Sequence, residues 1–416
     1  MSSTSESSTS SDEIDYQESN LNLSGKVVGN YNIIIELGRG TYSIVWLAYN
    51  INNENYYAIK VQHPDDFKAG LEEVKMMKRL PMKSNEFNHL FENFIHTVKI
   101  DEKRKKRYLC SVYEVHCGNL DCFIRKGYYR KGFDIDKVKE MFRQLIIGLD
   151  ILHSKVRIFH GDIKPDNILL KGHNKRDLEL IRLYNDFNFK KKLKEHKEKY
   201  WESKDMNNFK EEEIKLINNK IREIVHKYGT ELILVKEIDN ELRYDFDDKY
   251  LDNLEIKISD FGDFCDEDEE FDEDFGTRYY RAPEVILQGE CDFKVDIWAA
   301  GCVLFELLTG NILFEPDKDE KRSRDYNHLL LMCNYSGKFK RKYLRKTKHY
   351  KKFFTKNGDF RYDNICSEEL IEVLMENGVE DDNLIELVDL FKNIFILNPN
   401  KRFNAKKVLS HKWLNS

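Results

Sequence analysis

The sequence predicts an α+β protein in which a β-rich small lobe precedes a larger, mostly helical lobe. Three strand-like apolar runs joined by short turns, a pattern typical of an antiparallel sheet, cover residues 31–37, 44–48 and 56–61. Apolar residues at helical spacing begin near Ala69 and stop at Pro81. Beyond residue 280 helical periodicity dominates the chain. These observations favour two lobes of different composition.

Further patterns set the expected boundaries. A strand is predicted over Tyr108 to Val115, and a long amphipathic helix over Asp136 to Ser154. Residues 1–28 are rich in Ser, Glu, Asp and Asn and bury too few apolar groups to offset ordering entropy, so we predict disorder there. The predicted domain covers 31–416, with a small lobe over 31–116 and a large lobe over 117–416.

An insertion at about residues 171–254 interrupts the large lobe. It is rich in Lys, Glu and Asn and contains no proline. Isoleucines at helical spacing mark one stripe at Ile214, Ile217, Ile221 and Ile224. We interpret the stripe as a solvated helix packed on the large lobe, with a docking or anchoring element as the alternative.

Composition and charge exclude several classes of protein. The chain has 416 residues and a net charge of −6, so as a whole it is not a basic nucleic-acid binder. No apolar run approaches the length of a membrane span, and Met1 to Ser11 lacks the apolar core of a secretory signal. The eight cysteines are scattered without paired metal-ligand spacing, which indicates reduced thiols. We expect a cytoplasmic protein, with a nuclear location as the alternative, and neither a membrane nor nucleic acid as partner.

Residues His160 to Asn167 combine three groups that suit phosphoryl transfer. Asp162 can accept the proton of a hydroxyl, Lys164 can contact the transferred phosphate, and Asn167 can bind a metal ion. Asp260, the first residue of an Asp-Phe-Gly motif, is the second predicted metal ligand. This set predicts transfer of a phosphoryl group from a metal-bound nucleotide.

The same region has two unusual features. Gly161 lies between His160 and Asp162, where most catalytic loops with the pattern His-x-Asp followed by Asn carry arginine. In addition, 93 residues separate Asn167 from Asp260. His160 is expected to be a buried organiser of the loop rather than an acid or base. Gly262 is expected to let the chain turn after the metal ligand.

A glycine-rich turn between the first two strands predicts the phosphate site. Gly38 and Gly40 let backbone N–H groups approach phosphates without a Cβ clash. Lys60, on the third strand, is placed to neutralise the α- and β-phosphates, and Glu73 on the following helix is its best ion-pair partner. Glu72 is the adjacent alternative, but it points about 100° away around the helix.

Charged residues after the second metal ligand carry further predictions. Glu284 should pair with Arg402 as a brace of the large lobe, and Asp296 should anchor the catalytic-loop backbone. Asp266 to Asp274 holds eight acids in nine residues, which form either a solvated loop or an attractant for basic substrate. The basic run over 338–352 is a charged exposed helix by default, or a site for an acidic partner or nucleic acid.

Together these residues resemble the eukaryotic protein kinase family, over about Tyr31 to Ser416 without the insertion. Residues 277–284 (TRYYRAPE) look like the CMGC branch, which holds the cyclin-dependent, MAP and dual-specificity YAK-related kinases. Stretches similar to the SR-protein kinase family, which phosphorylates serines in arginine/serine-rich proteins, are residues 42–48, 160–165, 313–316, 353–359 and 411–416. That family also lacks the arginine before its catalytic aspartate and carries a long spacer at the position of the 93-residue gap.

The resemblance implies a two-lobed protein kinase fold, with ATP and Mg²⁺ as cofactors and a basic, serine-containing protein as substrate. It assigns catalysis to Asp162 and Lys164 and metal binding to Asn167 and Asp260. The implied ATP-binding residues are Leu37, Gly38, Arg39, Gly40, Thr41, Tyr42, Ser43, Ile44, Val45, Ala58, Lys60, Glu73, Glu114, Val115 and Leu169. Lys164, two residues after Asp162, indicates Ser/Thr rather than Tyr as the acceptor.

This chain departs from the family in the groove that docks an arginine-rich tail. The family's principal acids fall at Asn311, Asn327 and Asn334, which are uncharged, while Asp325 remains nearby. Either the substrate differs, or the acids of 266–274 compensate. A YAK-related or other CMGC kinase with another substrate, and a pseudokinase scaffold, are the alternative functions. Gly161 further leads us to hypothesise an active state that needs no activating phosphate.

Overall fold

The computed structural model describes residues 21–24, 27–50, 52–99, 105–126, 129–186, 254–266, 275–319, 321–380 and 382–416. The predictions for residues 1–20, for most of the insertion with its isoleucine stripe, and for the acids of 267–274 lie outside the described residues. Within those described ranges, no helix is long and apolar enough to cross a membrane.

The small lobe is built on an antiparallel sheet of six strands in the described part of the chain, in the order β1-β2-β3-β4-β6-β5. The strands are β1 (Val27–Val28), β2 (Tyr31–Arg39), β3 (Ser43–Asn50), β4 (Tyr56–Gln62), β5 (Glu92–Lys99) and β6 (Lys105–Tyr113). The predicted strands are confirmed as β2, β3, β4 and β6. Strand β5 was not predicted, because an edge strand with partly exposed side chains gives a weak pattern.

The small-lobe core begins before Tyr31, so the predicted disorder over residues 1–28 is wrong at its C-terminal end. Leu23 is fully buried in this core together with Val28, and Val28 pairs with Tyr31 in the sheet. Two apolar anchors are enough to hold a polar segment, but composition averaged over the whole stretch hides them. Residues 21–24 and 27–28 therefore belong with the small lobe.

Helix α1 (Phe67–Met77) packs on this sheet and confirms the helix predicted between Ala69 and Pro81. Its Gly70 allows close packing, because a Cβ there would lie 2.9 Å from Cδ2 of Leu109 on β6. The buried face also includes Glu73, a charged residue that needs a partner in the interior.

The large lobe is helical, as predicted. Its helices are α2 (Ile135–Ile151), α3 (Lys175–Asp186), α4 (Pro283–Ile286), α5 (Lys294–Thr309), α6 (Arg324–Ser336), α7 (Arg341–Leu344), α8 (Tyr350–Phe353), α9 (Leu370–Glu376), α10 (Leu384–Ile394), α11 (Ala405–Leu409) and α12 (Lys412–Asn415). Helix α5 is buried at every residue from Val295 to Thr309, as expected for a helix that is apolar on all sides. The helix predicted to reach Ser154 ends at Ile151 and continues as a π-helical turn, Leu152–Val156.

Short strands between the lobes position the catalytic loop and the metal motif. Strand β9 (Ile168–Lys171) lies between β7 (His116–Asn119) and β10 (Ile256–Ile258), and β8 (Ile158–Phe159) pairs with β11 (Cys265–Asp266). Ile168 is the register partner of Ile258, so the two ends of the long gap are neighbours in one sheet. The insertion therefore leaves and rejoins the lobe without separating the two motifs, since lengthening a loop adds little closure entropy.

Candidate active site

The glycine-rich turn between β2 and β3 leaves free space beside both of its glycines. A Cβ at Gly38 would meet no atom within 4 Å, and one at Gly40 would meet only the Ser43 carbonyl oxygen at 3.9 Å. The packing of the described residues therefore does not require glycine at either position. Space at this turn is what close approach of a phosphate to the backbone needs.

The other predicted nucleotide residues lie around the same opening between the lobes. Val45 faces Lys60 in the β3–β4 register, and Ala58 faces Tyr113 at the end of β6. Glu114 and Val115 follow directly after Tyr113, and Leu37 and Val45 are half-buried against the main core, while Leu169 lies on β9. The contacts of these residues with ATP stay a prediction.

Lys60 joins the two lobes by bonding two carboxylates. Its Nζ lies 2.8 Å from Oε1 of Glu73 and 2.8 Å from Oδ1 of Asp260. The predicted pair with Glu73 is confirmed, whereas Glu72 is exposed and pairs with Lys75. Burial alone would lower the pKa of Lys60, but Glu73 and Asp260 outweigh it and raise the pKa, so the ammonium stays charged.

The two predicted metal ligands lie on segments that contact each other, since Ser259 N, next to Asp260, donates to the Asn167 carbonyl oxygen at 2.9 Å, and both side chains offer oxygen donors. Asn167 Nδ2 donates to the backbone oxygen of Asp162 at 2.8 Å, so the amide orientation is fixed and Oδ1 accepts no hydrogen bond from a described residue. Burial would raise the pKa of Asp260, but the charge and hydrogen bond of Lys60 lower it, so the carboxylate is ionised. Amide and carboxylate oxygens are donors that suit a hard divalent cation.

The backbone at the metal motif corrects one prediction. The residue in the left-handed region is Asp260 itself, with φ of +60°. Gly262 does not have a positive φ, and a Cβ there would meet only Asp260 Oδ1 at 3.8 Å. The turn after the metal ligand therefore does not depend on glycine at 262, because the unusual torsion lies two residues earlier.

Asp162 and Lys164 meet a third residue, Thr277, whose contact the sequence did not predict. The Thr277 hydroxyl donates to Asp162 Oδ1 at 2.7 Å, and Lys164 Nζ donates to the Thr277 hydroxyl oxygen at 2.9 Å. Lys164 Nζ also lies 2.6 Å from Asp162 Oδ2. Burial would raise the pKa of Asp162, but Lys164 and the Thr277 hydrogen bond lower it, so the predicted base is ionised. The only signal in the sequence was the place of Thr277 at the start of the motif that ends at Glu284.

The catalytic-loop backbone is held by Asp296, as predicted. Its carboxylate accepts hydrogen bonds from the backbone N–H groups of His160, at 2.8 Å, and Gly161, at 3.0 Å. His160 is fully buried, and its Nε2 lies 3.0 Å from the Ser259 carbonyl oxygen. The predicted structural role of His160 is therefore confirmed.

Gly161 is required by close packing with the segment that follows the metal motif. Its φ is +82°, and a Cβ there would lie 2.4 Å from Cζ of Phe275 and 2.5 Å from the Asp263 carbonyl oxygen. A Cβ at Gly276, whose φ is +71°, would lie 2.6 Å from the Gly161 oxygen. The place where loops of this type carry arginine is thus occupied by the Phe275 ring.

The large-lobe brace is present and fully buried. Arg402 Nη1 and Nη2 donate to the two carboxylate oxygens of Glu284 at 2.6 and 2.8 Å. Arg402 also stacks over the Trp298 ring at 4.9 Å from its centroid. This bidentate pair fixes the segment after Thr277 to the helical core.

Carboxylates also gather beside the catalytic loop. Arg125 pairs with Asp121 and donates to the fully buried Glu306 at 2.6 Å, and Glu306 accepts the Tyr280 hydroxyl at 2.7 Å. Partial desolvation of Asp166, together with the charge of Asp121, raises the pKa of Asp166. Lys164 also acts on Asp166, so that with Asp162 four acids share two cations, Arg125 and Lys164, and this side of the loop is negative.

The three asparagines of the expected docking groove all have hydrogen-bond partners, and Asn334 Nδ2 donates to the Glu368 carboxylate at 3.4 Å. Asn311 Nδ2 donates to Asn377 Oδ1 at 2.8 Å, Asn327 Nδ2 donates to the Asp317 carbonyl oxygen at 2.8 Å, and Asn334 Oδ1 accepts from Cys366 N at 3.2 Å. Asp325 is paired with Arg278 and lies 3.9 Å from Lys352 Nζ. Asp325, the acid predicted to remain near this groove, is therefore already partnered within the chain.

Comparisons with known proteins agree with this geometry. The protein kinase domain model matches residues 31–224 and 242–414. A serine/threonine-protein kinase SRPK from Physarum polycephalum is 28% identical, over 92% of this chain and 86% of the relative. The human SRSF protein kinase 3 is 25% identical, over 93% of this chain and 86% of the relative. The dual specificity protein kinase lkh1 from Schizosaccharomyces pombe is 24% identical, over 93% of this chain and 47% of the relative.

The matched residues cover both lobes and every group described in the cleft, and the break in the match falls inside the predicted insertion. A protein kinase domain implies ATP and a divalent metal ion as cofactors. The chain therefore belongs to the protein kinase family and is a serine/threonine protein kinase.

Proposed function

We propose that this kinase uses ATP with Mg²⁺ to phosphorylate serine and threonine in basic, arginine-containing protein substrates. The observation that carries the proposal is the triad of Asp162, Lys164 and Thr277, in which an ionised carboxylate is held by a cation and a hydroxyl. We also propose a cytoplasmic location, with a nuclear one as the alternative, because all eight cysteines are free thiols.

The triad explains how the substrate hydroxyl is activated. Asp162 is ionised, so it can orient the hydroxyl and take its proton as the oxygen attacks phosphorus. Lys164 bonds Asp162 directly, which places its positive charge beside the transferred phosphate. Asn167 and Asp260 would hold Mg²⁺, which would supply charge neutralisation at the phosphates. Most of the rate enhancement then comes from positioning and preorganised charge.

Two observations support a basic substrate. The acids beside the catalytic loop, Asp121, Asp166 and the buried Glu306, together with Asp162, outnumber the two cations near them, Arg125 and Lys164. Two of the relatives are named serine/threonine-protein kinase SRPK and SRSF protein kinase 3, and the SR-protein kinase family that this chain resembles takes arginine/serine-rich substrates. Uncharged Asn311, Asn327 and Asn334 argue that an arginine-rich segment is recognised in the cleft rather than in a distant groove, since each lost charge-assisted contact can remove about 1.5–3 kcal/mol.

The test is phosphorylation of an arginine/serine repeat peptide against a serine peptide in which glutamine replaces each arginine. We expect kcat/KM for the arginine peptide to be at least about tenfold higher, with no transfer by Asp162→Asn enzyme. Equal kcat/KM for the two peptides contradicts the basic preference. Phosphotyrosine in the products would favour the dual-specificity alternative, and transfer that survives Asp162→Asn would contradict the role of Asp162.

A further inference from the structure

A dense basic surface covers the large lobe between residues 338 and 361. All of its cations are exposed, and they are Lys338, Lys340, Arg341, Lys342, Arg345, Lys346, Lys348, Lys351, Lys352, Lys356 and Arg361. The same stretch contains one acid, Asp359. Eleven cations against one carboxylate, on a chain whose net charge is −6, concentrate positive charge on a single surface.

Few of these cations are neutralised within the chain. Lys338 lies 3.2 Å from Asp359, and Lys352 lies 3.9 Å from Asp325, which is already bonded to Arg278. The Arg361 guanidinium donates to a backbone oxygen, that of Lys351, at 2.6 Å. The remaining cations have no carboxylate partner among the described residues. Their charge is therefore available to a ligand.

The basic surface adjoins the segment that contacts the catalytic aspartate, residues 277–288. Lys352 and Arg278 share Asp325, and Arg278 directly follows Thr277, whose hydroxyl bonds Asp162. The backbone of the surface is also attached there, since Lys348 N donates to the Gln288 oxygen at 3.1 Å, just beyond α4. A polypeptide that reaches Asp162 can therefore continue onto the basic surface.

The side chains favour carboxylates over a phosphorylated or nucleic-acid partner. Eight of the eleven cations are lysines spread along the surface, which act as separate point charges, whereas compact phosphate sites use converging bidentate arginines. Five of the six Phe and Tyr rings of the segment are buried, namely Phe339, Tyr343, Phe353, Phe354 and Phe360, and the sixth, Tyr350, is half-buried. Only Tyr362, at its edge, is strongly exposed, so the described surface offers little for stacking single-stranded bases.

We propose that this basic surface docks an Asp/Glu-rich segment of the protein substrate. The proposal rests on the proposed function and deepens it: the substrate presents a serine flanked by arginine to the cleft and an acidic segment to the large lobe. The uncharged Asn311, Asn327 and Asn334 agree with it, because a polybasic docking segment would be repelled by this surface.

The test uses the full-length enzyme and peptides with one shared arginine/serine acceptor region. A run of glutamates is attached to either end, and the control peptides carry glutamine there instead. The variant Lys340→Gln/Lys342→Gln/Lys346→Gln/Lys351→Gln neutralises exposed cations of the surface. The matched control, Lys392→Gln/Lys401→Gln/Lys406→Gln/Lys412→Gln, removes the same charge from exposed lysines between α10 and α12.

We expect the glutamate tail to lower KM for the unaltered enzyme with kcat unchanged, and high salt to abolish the difference. The surface variant should raise KM for the glutamate-tailed peptide about tenfold, the size expected from losing several exposed ion contacts, and leave the glutamine-tailed peptide unchanged. The lysine control should behave like the unaltered enzyme with both peptides.

Binding of a fluorescent glutamate peptide without serine, measured by anisotropy, reports docking independently of phosphate transfer. Binding without any phosphorylation would contradict the proposed function but not the docking surface. Equal KM for the two tails, or equal losses in both quadruple variants, would overturn the docking proposal. An RNA oligonucleotide that binds more tightly than the peptide, and loses binding in the surface variant alone, would overturn it in favour of nucleic acid.

Discussion

The cleft and the basic surface of the large lobe differ in whether their charged side chains are paired with opposite charges. In the cleft, Lys60 contacts Glu73 and Asp260 at 2.8 Å each, and Lys164 lies 2.6 Å from Asp162. On the basic surface, between residues 338 and 361, most cations face solvent without a carboxylate partner among the described residues. Both regions are rich in charge, but only the first balances it within the chain.

This difference separates charges that build the catalytic site from charges that are available to a partner. A buried ion whose partner is removed keeps its desolvation cost, so breaking a cleft pair is expensive. An exposed cation is already solvated, so neutralising it changes the free energy of unfolding very little. Mutations of paired charges in the cleft should therefore lower stability or activity. Mutations of exposed cations on the basic surface should change only the kinetics with a substrate that binds there.

The largest expected effect is at the pair that joins the lobes. Lys60→Met leaves Glu73, which is 6% exposed, without its cation and removes a positive charge from the phosphate site. We expect kcat/KM for ATP to fall by about 10²–10³-fold. Steady-state kinetics against Lys75→Met checks this, because Lys75 lies in the same lobe and, within the described ranges, pairs only with exposed Glu72. Equal losses in the two variants would remove the distinction between paired cleft charges and surface charges.

The buried pair of Glu284 and Arg402 predicts a loss of unfolding free energy that is comparable with the loss of transition-state stabilisation at Lys60. Glu284→Gln leaves the guanidinium of Arg402 buried without a carboxylate, and both side chains are 0% exposed. Breaking a buried pair in this way costs about 3–5 kcal/mol of unfolding free energy. Denaturant titration measures it, with Glu290→Gln as the exposed control in the same region. A loss below about 1 kcal/mol would mean that the pair behaves like a surface salt bridge.

Gly161→Ala is expected to have the next largest effect. The Phe275 ring can move away from a new Cβ, but the Asp263 carbonyl oxygen at 2.5 Å belongs to the backbone. We expect a loss of about 2–3 kcal/mol in unfolding free energy and a lower kcat, because Asp263 lies close to the metal ligand Asp260. Gly378→Ala isolates the cost of a positive φ, since its φ is +78° and a Cβ there meets no atom within 4 Å. Equal effects at the two glycines would show that packing at Gly161 does not matter.

Local patterns predicted most of the architecture and the main ion pairs. Strands β2, β3 and β4 follow from apolar runs with turns between them, and Glu73 follows from helical spacing after Lys60. The brace between Glu284 and Arg402 was predicted from the charged residues that follow the second metal ligand, and the structure confirms it. In each case the partners are specified by short segments whose geometry is regular.

Contacts between segments that share no local pattern could not be predicted. The approach of Phe275 to Gly161, the hydrogen bonds of Thr277 and the pairing of Ile168 with Ile258 all depend on how distant loops fold together. Leu23 illustrates the same limit, because one buried side chain does not alter the polar composition of its neighbourhood. Sequence patterns specify elements, whereas these contacts are specified by tertiary packing.

The smallest expected effect is that of dephosphorylation. The described end of the segment after the metal motif is held by direct contacts: Phe275 packs at Gly161, Thr277 bonds Asp162 at 2.7 Å, and Arg281 Nη2 donates to the Gly276 oxygen at 2.8 Å. Gly161 supplies no guanidinium to receive an activating phosphate. We therefore expect phosphatase treatment, with complete removal checked by mass spectrometry, to change kcat/KM by less than about twofold. Loss of activity after treatment, with full recovery on rephosphorylation, would show that the closed arrangement of this segment needs a phosphate after all.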